Sequence, residues 1–128
     1  MILNLTQHLG TPEQGVTEPK DKQAVIRLLT LDTLPDAAGI ERRATALAAI
    51  AAEAFGGPGR PASPAFWPAA MIGGAPFLMG ALERALHRVQ VRPVYAFSIR
   101  ESVDQPQPDG SVRKVAVFRH LGFVEVAV

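Results

Sequence analysis

The sequence predicts a small doubly wound α/β domain. Its three layers are a mostly parallel sheet with helices on both faces, and a C-terminal antiparallel β-hairpin closes the chain. Three observations predict it. Apolar runs of strand length alternate with helix-periodic stretches in the order β, α, α, β, α, β, β. The strands put apolar groups on both faces, as strands covered on both sides do. Near the end, Asp109-Gly110 gives a hairpin signal between two Val- and Phe-rich runs. With 128 residues, the chain reads as one domain over 1–128.

The elements follow in order. Ile2 to Thr6 reads as a strand, with Ile2, Leu3 and Leu5 on both faces. Thr11-Pro12-Glu13 opens a helical turn that Gly15 ends. Lys20 to Leu31 has helical spacing at Ala24, Val25, Leu28 and Leu29, although 25–31 is also strand-compatible. Asp36 caps a helix over 37–55, whose apolar stripe is Ile40, Ala44, Leu47, Ala51 and Phe55. Gly56-Gly57 stops that helix. A Gly/Pro-rich loop over 56–68 holds the only Trp, Trp67. Ala69 to Ile72 is a short strand, and a helix runs from Ala75 or Pro76 to Gln90. Arg92 to Arg100 is a strand, 105–110 a turn, and Ser111 to Val128 one bent strand or two broken at Gly122.

Composition narrows the function classes. The net charge of +1 gives no global basic field for duplex nucleic acid or an anionic membrane. The absence of cysteine removes disulfides, thiolate catalysis and Cys–zinc sites. The start, MILNLTQHLG, lacks the basic and apolar regions of a signal peptide, and no apolar run reaches membrane length. A cytoplasmic protein is therefore expected. His87 and His120 lack ligand-like spacing to other His or carboxylates, so no metal and no cofactor are expected.

In open α/β sheets, ligands bind at the carboxyl ends of the parallel strands. Three segments should meet there: Asn4–His8, Gly73–Pro76 and Ser98–Ser102. Gly73-Gly74 is either a β-to-α turn of unusual backbone geometry or a seat for an anion. Glycines let N–H groups approach closely, and a helix N-terminus follows. Pro76 removes one donor, and the GxGxxG and GxxxxGK[ST] patterns are absent. Asn4 and Thr6 either close a local turn or contact a ligand, and His8 is a candidate proton carrier. Ser98 and Arg100 share a strand face and can hold phosphate.

The same segments carry a family likeness: "LNLTQH" at 3–8, "IGGAPFLMGALERAL" at 72–86, "VYAFSIRESV" at 94–103 and "DGSVRKVAVFRHLGFVEV" at 109–126. In these the chain resembles the small single-domain CRISPR-associated proteins with a Rossmann-like fold, related to domains that sense cyclic oligoadenylate. The likeness covers about half the chain and is weakest from 16 to 68. It implies a homodimer that binds cyclic oligoadenylate and cleaves it without a metal, as a ring nuclease of antiviral defence does. On the matching positions, Arg100 and the Gly73 and Gly74 N–H groups would hold phosphate. Ser98, Asn4 and Thr6 would position ribose or phosphate, and His8 would move a proton. Two alternatives stay open. One is an accessory protein that docks a partner through an exposed Trp67 loop and the hairpin edge. The other is an enzyme or binder for a different nucleotide or phosphate ligand.

Overall fold

The computed structural model describes residues 1–57 and 59–127. Pro58, in the expected 56–68 loop, and Val128, at the end of the expected last strand, lie outside them. The elements are β1 (Ile2–Asn4), α1 (Lys22–Leu29), α2 (Ala37–Ala54), a 3-10 turn (Pro64–Phe66), β2 (Ala69–Met71), α3 (Pro76–Arg88), β3 (Arg92–Pro106) and β4 (Val112–Glu125). The sheet order is β1-β2-β3-β4; the first three strands are parallel and β4 is antiparallel to β3. The expected mixed α/β sheet with its C-terminal hairpin is therefore present.

The layering differs from the expectation of helices on both faces. Buried residues of all three helices join one core with Leu3, Leu5, Ala70, Ile72 and Tyr95. The opposite face carries a smaller cluster of Ala69, Met71 and Val94, against which Ile2, Val16 and Phe123 pack. Strand order explains this. A right-handed crossover that keeps stepping in one direction across a sheet keeps placing its helices on the same face. The other face is reached only where the order reverses, and β1, β2 and β3 lie in chain order.

Local chemistry fixes most boundaries. Asp21 and Asp36 cap α1 and α2 by accepting from Ala24 N (3.0 Å) and Gly39 N (2.7 Å). Residues 25–29, also compatible with a strand, lie in a helix because Val25 and Leu29 fall on one buried face of it. The expected helical turn at 11–15 is a turn closed on itself, with Thr11 N donating to Gln14 Oε1 and Gln14 N to Thr11 Oγ1. β1 is three residues rather than five, because after Asn4 the chain folds over the strand end.

β3 continues past Arg100 to Pro106. It pairs with β4 from Val94–Glu125 to Pro106–Val112, with a bulge that leaves Leu121 unpaired. The ribbon thus projects well beyond the three-residue strands β1 and β2. The expectation that this strand is covered on both faces holds only at its start: Val94 is buried, whereas Phe97 is 50% exposed. Trp67 is buried rather than exposed. Its indole N–H donates to Pro61 O (2.7 Å), and its ring meets His87 edge-on. It serves as an internal anchor for its loop, while its neighbour Phe66 faces solvent.

Candidate functional site

The site is built from the loop after β1. Leu3 and Leu5 point into the helix-side core, so Asn4 between them points to the other face. Asn4 is fully buried and must therefore be hydrogen-bonded. Its Oδ1 accepts from Thr6 N (2.9 Å) and lies 2.6 Å from Thr6 Oγ1. Its Nδ2 donates to His8 O (2.8 Å) and to the Glu18 carboxylate (3.0 Å). Glu18 also accepts from Gly10 N (2.8 Å) and pairs with Lys22 (3.0 Å). Lys22 Nζ in turn donates to Thr6 O (2.7 Å) and His8 O (2.9 Å). The loop from Thr6 to Gly10 is therefore stapled down through its carbonyls.

Asn4 is the keystone of this loop rather than a surface contact for a ligand. Sequence reasoning missed Glu18 and Lys22. The signal that could have found them is the Asn at a buried strand position, which needs partners of its own. Burial alone would raise the Glu18 carboxyl, but bonds from Asn4, Gly10 and Lys22, with the Lys22 charge, hold it below the ordinary value of 4.5. A depressed folded-state value means the stabilisation is present above the ordinary value and is lost as pH falls through the folded one. Glu18→Gln should therefore flatten the acid limb of the stability curve below about pH 4, measured by urea unfolding across pH.

The second wall is the turn after β2. Ile72 N donates to Val94 O (2.9 Å), and the chain then turns through Gly73 and Gly74 into α3. Gly74 has φ +151°, a region that L side chains rarely adopt. Unlike α1 and α2, α3 has no side-chain cap; Ala75 stands at its N-cap and Pro76 follows. A Cβ on Gly73 would meet only Thr6 Cγ2, at 3.7 Å. The Gly73 backbone thus faces the Thr6 loop across a narrow gap.

Between these walls and β3 lies a cavity of about 480 Å³, lined by Thr6, Gln7, His8, Gly73, Gly74 and Tyr95 among others. The structure thus brings together four of the expected residues: Thr6, His8, Gly73 and Gly74. Ser98 lies instead in an adjoining hollow with His120. Arg100 lies out on the ribbon, exposed and opposite Phe118. From Ala96 at the cavity wall, four residues of extended strand carry Arg100 about 13 Å away. The third segment was expected at the strand end, but β3 does not end there.

Among the described residues, the cavity wall carries no Lys or Arg. An anion there would be held by backbone N–H groups, the start of α3 and hydroxyls. Tyr95 is committed to the fold: its hydroxyl donates to Glu83 Oε2 (2.6 Å), and burial with that carboxylate pushes its pKa up. Among the described residues, His8 is the one imidazole on the wall.

A larger groove of about 730 Å³ between α1 and α2 is lined by Arg27, Arg42 and Arg43. Its charge is partly used by the fold. Arg43 Nη1 lies within 3.1 Å of the Arg27, Leu28 and Thr30 carbonyls that end α1, and Asp36 occupies the start of α2. Among the described residues no group of three His, Asp or Glu is placed to hold a metal, and no helix is long and apolar enough to cross a membrane.

The model of the uncharacterized protein MJ1673 family matches residues 1–124. The chain belongs to that family. No curated protein matches it, and no solved structure does. The family match runs through both walls of the cavity and most of the β3–β4 ribbon, so this member's site lies wholly inside the shared region.

Proposed function

We propose that this MJ1673-family protein binds a small phosphorylated ligand, of nucleotide class, at the carboxyl ends of its parallel strands. One observation carries the reading. A stapled loop and an uncapped glycine turn converge on a cavity of about 480 Å³, within the size range of small-molecule sites. The parallel β1–β2–β3 unit is the part on which a Rossmann-like reading rests. The resemblance to CRISPR-associated proteins makes cyclic oligoadenylate the first ligand to try. Binding is better supported than ring cleavage, because Ser98 and Arg100 stand outside the cavity. A thermal-shift panel of cyclic tri-, tetra- and hexa-adenylate with common mononucleotides tests the reading. A shift of several degrees with at least one of them is expected, and no shift with any would count against it.

A second reading, self-association, draws on the ribbon. Phe97, Ile99, Val103, Val115 and Val117 share one face of it with the Glu101–Arg119 ion pair (3.1 Å), on the same side of the sheet as the helices but beyond their reach. A two-stranded ribbon is only marginally stable alone, and exposed apolar side chains around a paired charge fit an interface. We infer that a second copy of the chain covers it. Paired Val103→Lys and Val117→Lys substitutions should convert a dimer to a monomer in light scattering. A wild-type monomer at high concentration would remove the idea.

A further inference from the structure

The hollow beside the cavity points to the rest of the ligand. It measures about 370 Å³ and is lined by Thr11, Glu13, Gln14, Ser98, Phe118 and His120. Thr11 and Gln14 line both compartments, so the two share one wall on the face of the sheet that carries no helix. Ser98 and His120 are direct cross-strand partners, which places their side chains together. His120 Nδ1 is buried without a hydrogen-bond partner, an unmet polar atom on a residue that lines the hollow. The His120 ring is braced edge-on by Phe123 (4.9 Å), and Glu13 Oε2 accepts from His120 N (3.4 Å). Phe118, 75% exposed, presents an open aromatic face at the rim.

We propose that this hollow takes the heteroaromatic ring of the same ligand whose phosphate lies against Gly73 and Gly74. The inference rests on the phosphate-binding reading above and extends it. Glu13 lines the hollow, whereas Arg100, opposite Phe118 on the same face, stands exposed outside its lining, so the carboxylate inside disfavours a second phosphate. A ring with an N–H edge is favoured: Glu13 and the Gln14 amide oxygen accept from it, Ser98 and the His120 imidazole meet its other polar atoms, and Phe118 stacks on its face. From Ala96 in the cavity to Ser98 in the hollow is two residues of strand, about 7 Å, a span that a phosphate-to-base separation can cover. Ser98 thereby serves the ring rather than the phosphate.

Calorimetric titration of the full chain with ribose 5-phosphate and with adenosine 5′-monophosphate tests this. The ring should add at least tenfold in affinity. Phe118→Ala should erase that increment and leave ribose 5-phosphate binding unchanged, with an unaltered thermal melt confirming the fold. Equal affinity of the wild type for both compounds would overturn the proposal while leaving the phosphate site standing. So would an equal loss of both in the variant. If neither compound binds, this proposal fails, while the phosphate-binding reading is decided by the wider nucleotide panel.

Discussion

Asn4→Ala is expected to lower the unfolding free energy by about 3 kcal/mol and to abolish ligand binding with it. The side chain is fully buried and serves the Thr6 N–H, the His8 carbonyl and Glu18 at once. Truncation removes those bonds together and leaves a void at a fully buried position. Lys22 would still hold the Thr6 and His8 carbonyls, so the strand should persist while the loop above it loosens. Asn4→Asp is a sharper form of the same experiment. It keeps the shape but sets a carboxylate where Nδ2 now lies 3.0 Å from both Glu18 oxygens, so it should destabilise at least as much near neutral pH. Urea unfolding reads both; a change under about 0.5 kcal/mol, the range of ordinary surface substitutions, would show that the loop is not held as described.

Gly73→Ala is expected to cost at least tenfold in ligand affinity while leaving stability nearly unchanged. The added methyl meets Thr6 Cγ2 at an ordinary 3.7 Å, so the fold accommodates it. It also covers the backbone face that an anion would approach. Its neighbour supplies the control. Gly74→Ala carries the burden of φ +151° and should destabilise by about 1–3 kcal/mol. The two adjacent glycines therefore separate binding from folding. Calorimetry and thermal melts on the pair would show a binding defect in one and a stability defect in the other.

Much of this was legible in the residues. The Ile40–Ala44–Leu47–Ala51 stripe gives α2, Asp36 gives its cap, and Asp109-Gly110 gives the hairpin. Thr6, His8, Gly73 and Gly74 were placed at one site because strand ends in a parallel sheet share an edge. The layering was not legible, because strand order decides which face a helix covers and periodicity does not encode order. Arg100 was misplaced for a related reason. An apolar alternation shows that a strand exists but not where its neighbours stop, and β3 outruns β2 by many residues. Trp67 looked exposed because it sits in a Pro-rich stretch; its indole found a carbonyl partner at Pro61 and a packing partner in His87. Glu18 and Lys22 stand in the sequence only as an i,i+4 charge pair; their bonds to backbone groups and to a buried amide leave no mark on the charge pattern.

The proposed seat of a phosphorylated ligand is the gap between the Thr6–Gly10 loop and the Gly73–Gly74 turn. Amide chemical shifts of the isotope-labelled chain, followed during titration with adenosine 5′-monophosphate, locate that seat. The largest changes should fall on Thr6, Gln7, His8, Gly73 and Gly74, with smaller ones at Gln14 and Ser98. Changes centred instead on Arg27, Arg42 and Gly39, in the larger groove between α1 and α2, would contradict it.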